Sequence, residues 1–134
     1  MRTIALIEKG NDSTYSIFAP TLQSTIFGVG STVDEAKTDF ENSVKEIIEA
    51  YSDVKGELPQ ELINITFEYK YDVASLFNIL DWINVTKFAK KSGINGSQMQ
   101  RYKGGEHISK IQAKKIEKTL HELGREISKI KLAE

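Results

Sequence analysis

Residues 95–103 hold a close group of hydrogen-bonding side chains that could contact a nucleic acid. They read Asn-Gly-Ser-Gln-Met-Gln-Arg-Tyr-Lys, so two glutamines and an arginine stand within four positions of one another. A glutamine amide pairs with adenine through two hydrogen bonds, and an arginine guanidinium pairs in the same way with guanine or binds a phosphate. These residue types at this spacing indicate a surface that contacts duplex DNA.

The sequence around these residues has the spacing of two short helices that meet at a turn. Ala89 is small enough for a second helix to pack across it, and Gly93 can adopt the left-handed conformation of the turn. Apolar side chains on both sides supply a shared core, namely Phe88, Ile94, Met99 and Tyr102. We therefore predict a DNA-reading helix-turn-helix over residues 84–104, with its reading helix at 97–103. An ordinary helical hairpin is the alternative.

The positions of the polar residues in this segment indicate what each would contact. Gln98 and Gln100 are placed to read adenine, and Arg101 to read guanine or bind a phosphate. Asn95 and Ser97 stand where the positive end of the reading helix approaches the DNA backbone. The side chains suited to phosphates are Thr86, Lys87, Lys90, Lys91 and Lys103. Because such domains usually bind as symmetric pairs, we expect a homodimer or higher homo-oligomer on operator DNA.

Groups that could perform catalysis are sparse. A two-metal nuclease needs several converging carboxylates, and the predicted strands offer only Glu8 and Glu68. His107 and His121 stand in a basic helical region, where a surface or capping role is favoured over metal binding. Residues 28–30, Gly-Val-Gly, lack the third glycine and the lysine of phosphate-binding loops, so strand termination explains them better. We expect no catalytic residue, no metal ligand and no cofactor, and hence no enzyme.

The composition is that of a soluble globular protein. A chain of 134 residues forms one ordinary domain or two small ones, and 40% of its residues are hydrophobic while 28% are charged. The absence of cysteine excludes disulfides and thiolate metal sites and indicates a reducing cytoplasm. The N-terminus lacks a cleavage site, and no apolar run reaches about 18 residues. We expect a cytoplasmic protein that does not bind membranes.

The net charge of −1 conceals two halves of opposite sign. Residues 1–70 hold 6 Lys and Arg against 12 Asp and Glu, a net charge of −6, and residues 71–134 hold 12 against 7, a net charge of +5. A basic half suits a polyanion, because neutralising phosphates supplies most non-specific affinity for DNA. The acidic half requires a different partner. We therefore predict an acidic domain at 1–70 and a basic domain at 71–134.

The hydrophobic pattern predicts an α+β fold class. Strands are expected at 3–8, 15–19, 26–30 and 63–69, with a helix over 33–51 between the last two. Thr32 and Glu35 form a capping box at the start of that helix. The acidic domain thus has the order β-β-β-α-β, and the basic domain is all helical.

Two helices flank the helix-turn-helix in the basic domain. The first is predicted over 73–82, with Asp72 as its N-cap, and the last over 109–131. Apolar residues of the last helix repeat at steps of four and three, at Ile116, Leu120, Leu123, Ile127 and Ile130. This narrow seam suits one partner helix, so it serves self-association or covers other helices of the same domain.

The order of elements resembles the HicB antitoxins of bacterial toxin–antitoxin pairs. The likeness covers nearly the whole chain and depends on two segments. The first leads from the aromatic strand at 15–20 to the helix start at 30–36, Gly-Ser-Thr-Val-Asp-Glu-Ala, and then to a long helix that ends near Tyr51. The second is the C-terminal DNA-binding domain. Residues 20–28 differ from the Leu-Pro-Gly-Cys-like stretch of many family members.

The resemblance implies a non-catalytic, partial ribonuclease-H-like N-terminal domain that binds and blocks a small mRNA-cleaving toxin similar to HicA. It also implies that the C-terminal domain represses the operon. The negative charge of the first domain agrees with this expectation. A toxin that binds RNA presents lysines and arginines, and an acidic domain would attract and cover them. The candidate toxin-binding carboxylates on the long helix are Asp34, Glu35, Asp39, Glu41, Glu46 and Glu49.

Two other classes of function stay open. A stand-alone transcriptional regulator would sense a small molecule with its N-terminal domain, and it would need a pocket with converging polar groups. A structural adaptor would bind two proteins and no DNA. A short basic protein encoded beside this chain would favour the antitoxin.

Overall fold

A computed structural model, which describes residues 2–10, 12–54 and 56–134, has a mixed α+β architecture with a four-stranded sheet and five helices. The first elements in chain order are β1 (Arg2–Lys9), β2 (Tyr15–Phe18), β3 (Phe27–Gly30), α1 (Val33–Asp53) and β4 (Thr66–Tyr71). The later ones are α2 (Val73–Ile79), α3 (Val85–Ser92), α4 (Gly96–Lys103) and α5 (Lys110–Ser128). The β-β-β-α-β order predicted for the first part of the chain is present.

The chain divides into two compact units, of which the first ends at Ile79 and the second begins at Leu80. Helix α2 packs against β1 in the first unit, whereas the charge pattern places it with the basic half. The Asp72 backbone N–H donates to the Ile7 carbonyl at 3.2 Å, which continues the pairing of β4 with β1 up to the start of α2. By this division the first unit holds 6 basic and 13 acidic residues, a net charge of −7, and the second 12 and 6, a net charge of +6.

The strands lie in the order β3-β2-β1-β4, with β1 and β4 parallel and the other pairs antiparallel. Helix α1 covers one face, because the alternate residues of the strands that point to this face are apolar. The centre of this core is formed by Ala5, Ile7, Ile17, Ala36 and Phe40. The Phe40 ring meets Phe67 and Tyr69 edge-on, with ring centroids 4.9 and 6.2 Å away. The apolar face of α1 is therefore the face that packs on the sheet, as the sequence predicts.

The glycines of β3 lie where α1 comes closest to the sheet. A Cβ atom on Gly28 would stand 2.5 Å from the Ala36 carbonyl oxygen and from the Phe40 backbone nitrogen. A Cβ atom on Gly30 would stand 2.6 Å from the Ala36 nitrogen. Only glycine permits this approach of helix and strand. The prediction that these glycines end the strand holds for Gly30, the last residue of β3, whereas Gly28 lies within the strand. Both glycines make room for the helix.

Strand β4 begins three residues later than the alternating pattern predicts. Residues Gln60–Leu62 form a 3₁₀ turn, in which the buried Leu62 anchors the chain to the core. Asn64 then takes a positive φ of 51°, so the chain turns once more before the strand starts. The faces of the strand agree with the alternation, because Phe67 and Tyr69 both pack on α1.

Side-chain caps mark the helix starts of the first unit. The Thr32 hydroxyl accepts the Glu35 N–H at 3.1 Å, and the Glu35 carboxylate accepts the Ser31 N–H at 2.9 Å. This confirms the predicted capping box, although the glutamate reaches one residue before the threonine. The Asp72 carboxylate accepts the Ser75 N–H at 3.2 Å, which confirms Asp72 as the cap of α2.

Candidate functional site

Helix α3 provides one half of the candidate DNA-binding segment. Its N-cap is Asn84, whose side-chain oxygen accepts the Lys87 N–H at 2.9 Å. Phe88 and Ala89 are buried on its inner face, and Ala89 is only 1% exposed. A side chain this small lets α4 approach α3 closely, as the sequence pattern predicts. The cap at Asn84 was not among the predicted residues, although asparagine is among the preferred N-caps.

The turn between α3 and α4 depends on Gly93, which has φ 69° and ψ 29°. The Gly93 N–H donates to the Lys90 carbonyl at 3.3 Å, and the Ile94 N–H donates to the Ala89 carbonyl at 3.0 Å. These are the two hydrogen bonds of a Schellman motif, which requires a left-handed residue at this point. The predicted conformation of Gly93 is confirmed. The predicted shared core is also buried, namely Phe88, Ile94, Met99 and Tyr102.

Helix α4 begins with a cap formed by Asn95. Its side-chain oxygen accepts the Ser97 N–H at 2.9 Å and the Gln98 N–H at 3.4 Å. This oxygen therefore stabilises the start of α4, whether or not Asn95 also contacts a ligand. Because Met99 and Tyr102 point inward, the other side of α4 is left to polar residues. Of the eight residues predicted to contact DNA, Gln98 is half-buried and the other seven are exposed, namely Thr86, Lys87, Asn95, Ser97, Gln100, Arg101 and Lys103.

Two of the predicted base-reading residues are bonded to each other and to an acid. Gln98 Nε2 donates to Glu106 Oε2 at 2.7 Å, and Arg101 Nη2 donates to Gln98 Oε1 at 2.5 Å. Arg101 Nε also lies 3.8 Å from Glu106 Oε2. We refer to Gln98, Arg101 and Glu106 as the reading triad. Both ends of the Gln98 amide are thus engaged within the protein.

The backbone at the end of α4 sets the position of Glu106. Gly105 has a positive φ of 101°, its N–H donates to the Tyr102 carbonyl at 3.0 Å, and the Glu106 N–H donates to the Arg101 carbonyl at 3.0 Å. This is a second Schellman motif, and it returns the chain over the last turn of the helix. Glu106 is a residue of this site that the sequence pattern did not predict. Its signal is the pair Gly104-Gly105, because a glycine helix end places the next side chain beside the helix.

The acidic candidates on α1 divide between two sides of the helix. Asp39 Oδ2 accepts the Val29 N–H at 2.9 Å, and the Ser43 hydroxyl donates to the Phe27 carbonyl at 2.8 Å. These two side chains occupy the outward-pointing backbone groups of β3, which is an edge strand. An edge covered in this way is protected against pairing with another strand. Asp34, Glu35 and Asp39 line a surface depression on α1.

On the other side of α1, Glu41 accepts a hydrogen bond from the Tyr69 hydroxyl of β4 at 3.1 Å. The Lys37 Nζ lies 4.8 Å from the centre of the Tyr69 ring. Burial, and then the bond and charge of Glu41, raise the pKa of Tyr69 to about 12. Since β3 and β4 are opposite edges of the sheet, the six candidate acids do not form one patch. Glu46 and Glu49 are exposed further along α1.

The carboxylates of the parallel strands do not converge. Glu68 stands opposite Ile4, so Glu8 lies four residues further along, a separation of roughly 13 Å at the rise of an extended chain. Glu68 Oε2 lies 3.5 Å from Arg2 Nε and forms an ion pair with it. Burial and the charge of Asp72 raise the pKa of Glu8. Among the residues that the structure describes, no three His, Asp or Glu side chains are grouped to hold a metal ion. Both histidines are exposed.

The apolar seam of α5 is only partly covered. Ile116 is buried and Leu120 is half-buried, and α5 packs with α3. Ile127 is 50% exposed, and Ile130 is exposed beyond the end of the helix at Ser128. The predicted helix, 109–131, therefore extends three residues too far at its C-terminal end and includes the N-cap Ser109 at its start. The first half of the seam covers its own unit, whereas the second half is open.

Comparison of the chain with protein-family models, with curated proteins and with solved structures gives no match. No helix in the described parts of the chain is long and apolar enough to cross a membrane. Similarity therefore assigns neither a family nor a function.

Proposed function

We propose that this protein is an antitoxin of the HicB type, which represses its own operon and neutralises an mRNA-cleaving toxin similar to HicA. In this proposal α3, the turn and α4 are a helix-turn-helix, and α4 enters the major groove of the operator. The first unit is a partial ribonuclease-H-like domain that binds the toxin and performs no catalysis. The protein acts without a cofactor.

The outward face of α4 is the observation that supports DNA binding most directly. The helix buries Met99 and Tyr102 and exposes Gln100, Arg101 and Lys103 on its outer side. Three exposed lysines of α3, Lys87, Lys90 and Lys91, lie in the same unit as Lys103 of α4. Exposed cations beside a helix that enters the groove attract phosphates. The net charge of +6 on this unit adds a long-range attraction to a polyanion.

The acidic first unit supports the toxin-binding part of the proposal. Its net charge of −7 suits a partner that binds RNA through lysines and arginines. Glu35, Asp39 and Glu41 already bind backbone or side-chain donors of the same unit. Glu46 and Glu49 are exposed and are therefore our choice for contact with the toxin.

The DNA-binding part is tested by fluorescence anisotropy of the whole chain with the duplex upstream of its own gene. A scrambled duplex of equal length is the control, and both are titrated at several salt concentrations. Specific binding should exceed non-specific binding by about 10³-fold or more, and both should weaken as salt rises. Equal affinity for the two duplexes at low salt would overturn the repressor function.

The antitoxin part is tested by growth. In this proposal the gene beside this one encodes a short basic toxin, whose expression should arrest cells, and co-expression of this chain should restore growth. A double charge reversal, E46K with E49K, should weaken rescue, whereas E57K, at an exposed acid outside α1, should not. Failure of the unaltered chain to rescue arrested cells would refute the antitoxin function.

The open half of the α5 seam supports self-association. A dimer would cover Ile127 and would present two copies of α4 to a near-palindromic operator.

A further inference from the structure

We propose that Glu106 is a positioning residue that makes the reading triad select guanine, through Arg101, rather than adenine, through Gln98. This inference deepens the proposed DNA-binding function and depends on it. The reason lies in the hydrogen bonds that the triad makes within the protein.

The Gln98 amide is not arranged to read adenine. It has one oxygen that accepts and one nitrogen that donates, and adenine requires both at once. In the structure the oxygen accepts from Arg101 and the nitrogen donates to Glu106. The amide keeps a second N–H and a second lone pair, but both of its polar atoms are held by the triad, which fixes the orientation of the amide plane. Gln98 therefore acts as a bridge that transmits the position of Glu106 to Arg101.

Arg101 keeps the pair of donors that guanine needs. A guanidinium has five N–H groups, which form a side-on pair at Nε and Nη2 and an end-on pair at Nη1 and Nη2. The side-on pair faces Glu106 and Gln98, because Nη2 bonds to the amide and Nε lies 3.8 Å from the carboxylate. Among the described residues Nη1 has no hydrogen-bond partner, and Nη2 uses one of its two N–H groups for Gln98, which leaves one donor on each nitrogen of the end-on pair. Its two parallel donors match O6 and N7 of guanine.

The charge of Glu106 adds to the selectivity. A carboxylate next to Arg101 offsets part of the attraction to phosphates, so the arginine gains less from any duplex that lacks the matching base. The side chains of Arg101 and Glu106 are 59% and 49% exposed. An ion pair as exposed as this contributes little to folding stability. The effect of Glu106 should thus be visible in recognition while the fold is unchanged.

The experiment selects duplexes from a random pool with the whole chain and its variants E106Q and E117Q. Glu117 is exposed on α5, so E117Q removes the same charge from the same unit without touching the triad. The unaltered chain should enrich one guanine in each half-site, and R101K should lose that preference. E106Q should reduce the preference for this guanine about tenfold or more, whereas E117Q should keep it. Thermal unfolding should be the same for both glutamine variants.

The possible results separate the inference from the function on which it depends. If the unaltered chain enriches a sequence and E106Q prefers the same bases as E117Q, the role of Glu106 is refuted and DNA binding stands. If the enriched base is an adenine that Q98A no longer selects, Gln98 reads the base and the inference is overturned. If the unaltered chain enriches nothing, the DNA-binding function fails and the inference fails with it.

Discussion

At the scale of single residues, several polar side chains that suit binding also serve the fold. Asn95 caps α4, Glu35 caps α1 and Asp39 closes the edge of β3. Removing an N-cap costs about 1 kcal/mol of stability, so substitutions at such positions change folding and binding together. Gln100 and Lys103 are exposed, and neither side chain caps a helix. Substitutions at these two positions should therefore change DNA affinity without changing stability.

Arg101 and Lys103 should differ in their contributions to DNA binding. R101A should cost about 1–3 kcal/mol on the preferred duplex and relax the choice of base, because it removes the end-on donors. K103A should weaken all duplexes alike and reduce the slope of log K against log salt by about 0.9, because one phosphate contact is lost. Anisotropy titrations over a salt series measure both. K131A, in the C-terminal tail, is the control and should change neither quantity.

Tyr69 should make stability depend on alkaline pH. Its folded-state pKa of about 12 lies above the ordinary value of 10.0, so the folded state holds this proton more tightly than the unfolded state does. The stability it contributes is complete below about pH 10 and is lost as the pH rises to about 12. Absorbance titration of tyrosinate should show a late component that Y69F removes and E41Q shifts to lower pH. Identical titrations of Y69F and the unaltered chain would contradict this.

At the scale of elements, close packing and turn geometry each depend on glycine. G28A should destabilise the first unit by about 1–3 kcal/mol, because the new Cβ would meet backbone atoms of α1 at 2.5 Å. The neighbouring substitution V29A is the control, since Val29 lies on the opposite, exposed face of the same strand. In a urea titration V29A should lower the free energy of unfolding by less than G28A does. Equal losses would mean that α1 does not approach β3 this closely.

Replacing Gly93 or Gly124 with alanine should change the free energy of unfolding in opposite directions. A Cβ would meet nothing within 4 Å at either position, so space does not distinguish them. Gly93 has a left-handed backbone, where alanine costs about 1–2 kcal/mol, so G93A should lower the free energy of unfolding. Gly124 lies inside α5, where alanine is favoured by about 0.5–1 kcal/mol, so G124A should raise it. Changes of the same sign in urea unfolding would disprove the assigned backbone conformations.

At the scale of the whole molecule, opposite charges on the two units suit two different ligands, and the open seam of α5 suits a second copy. We expect I127E to convert a dimer into a monomer, because it places a charge in the apolar seam. I111E is the matched control, since Ile111 is an exposed isoleucine of α5 outside the seam. Sedimentation velocity should show a dimer for the unaltered chain and for I111E. A dimer that persists in I127E would exclude this interface.

The sequence by itself determined the features that depend on neighbours within a few residues. The alternation of β1, the amphipathic face of α1, the capping box at Thr32 and the glycine turn at Gly93 all follow from local periodicity and backbone geometry. The buried core between α3 and α4 follows as well, because its residues lie within fifteen positions of one another.

Only the tertiary structure decided which distant residues meet. The placement of α2 on β1, the separation of Asp39 from Glu41 and the close approach at Gly28 depend on how strands far apart in the chain pair in the sheet. Glu106 is an intermediate case, because the glycine pair at 104–105 signals the helix end in the sequence, whereas the structure shows that the left-handed Gly105 returns the chain over α4. Periodicity carries no information on such contacts, since it records which face a residue occupies and not what that face touches.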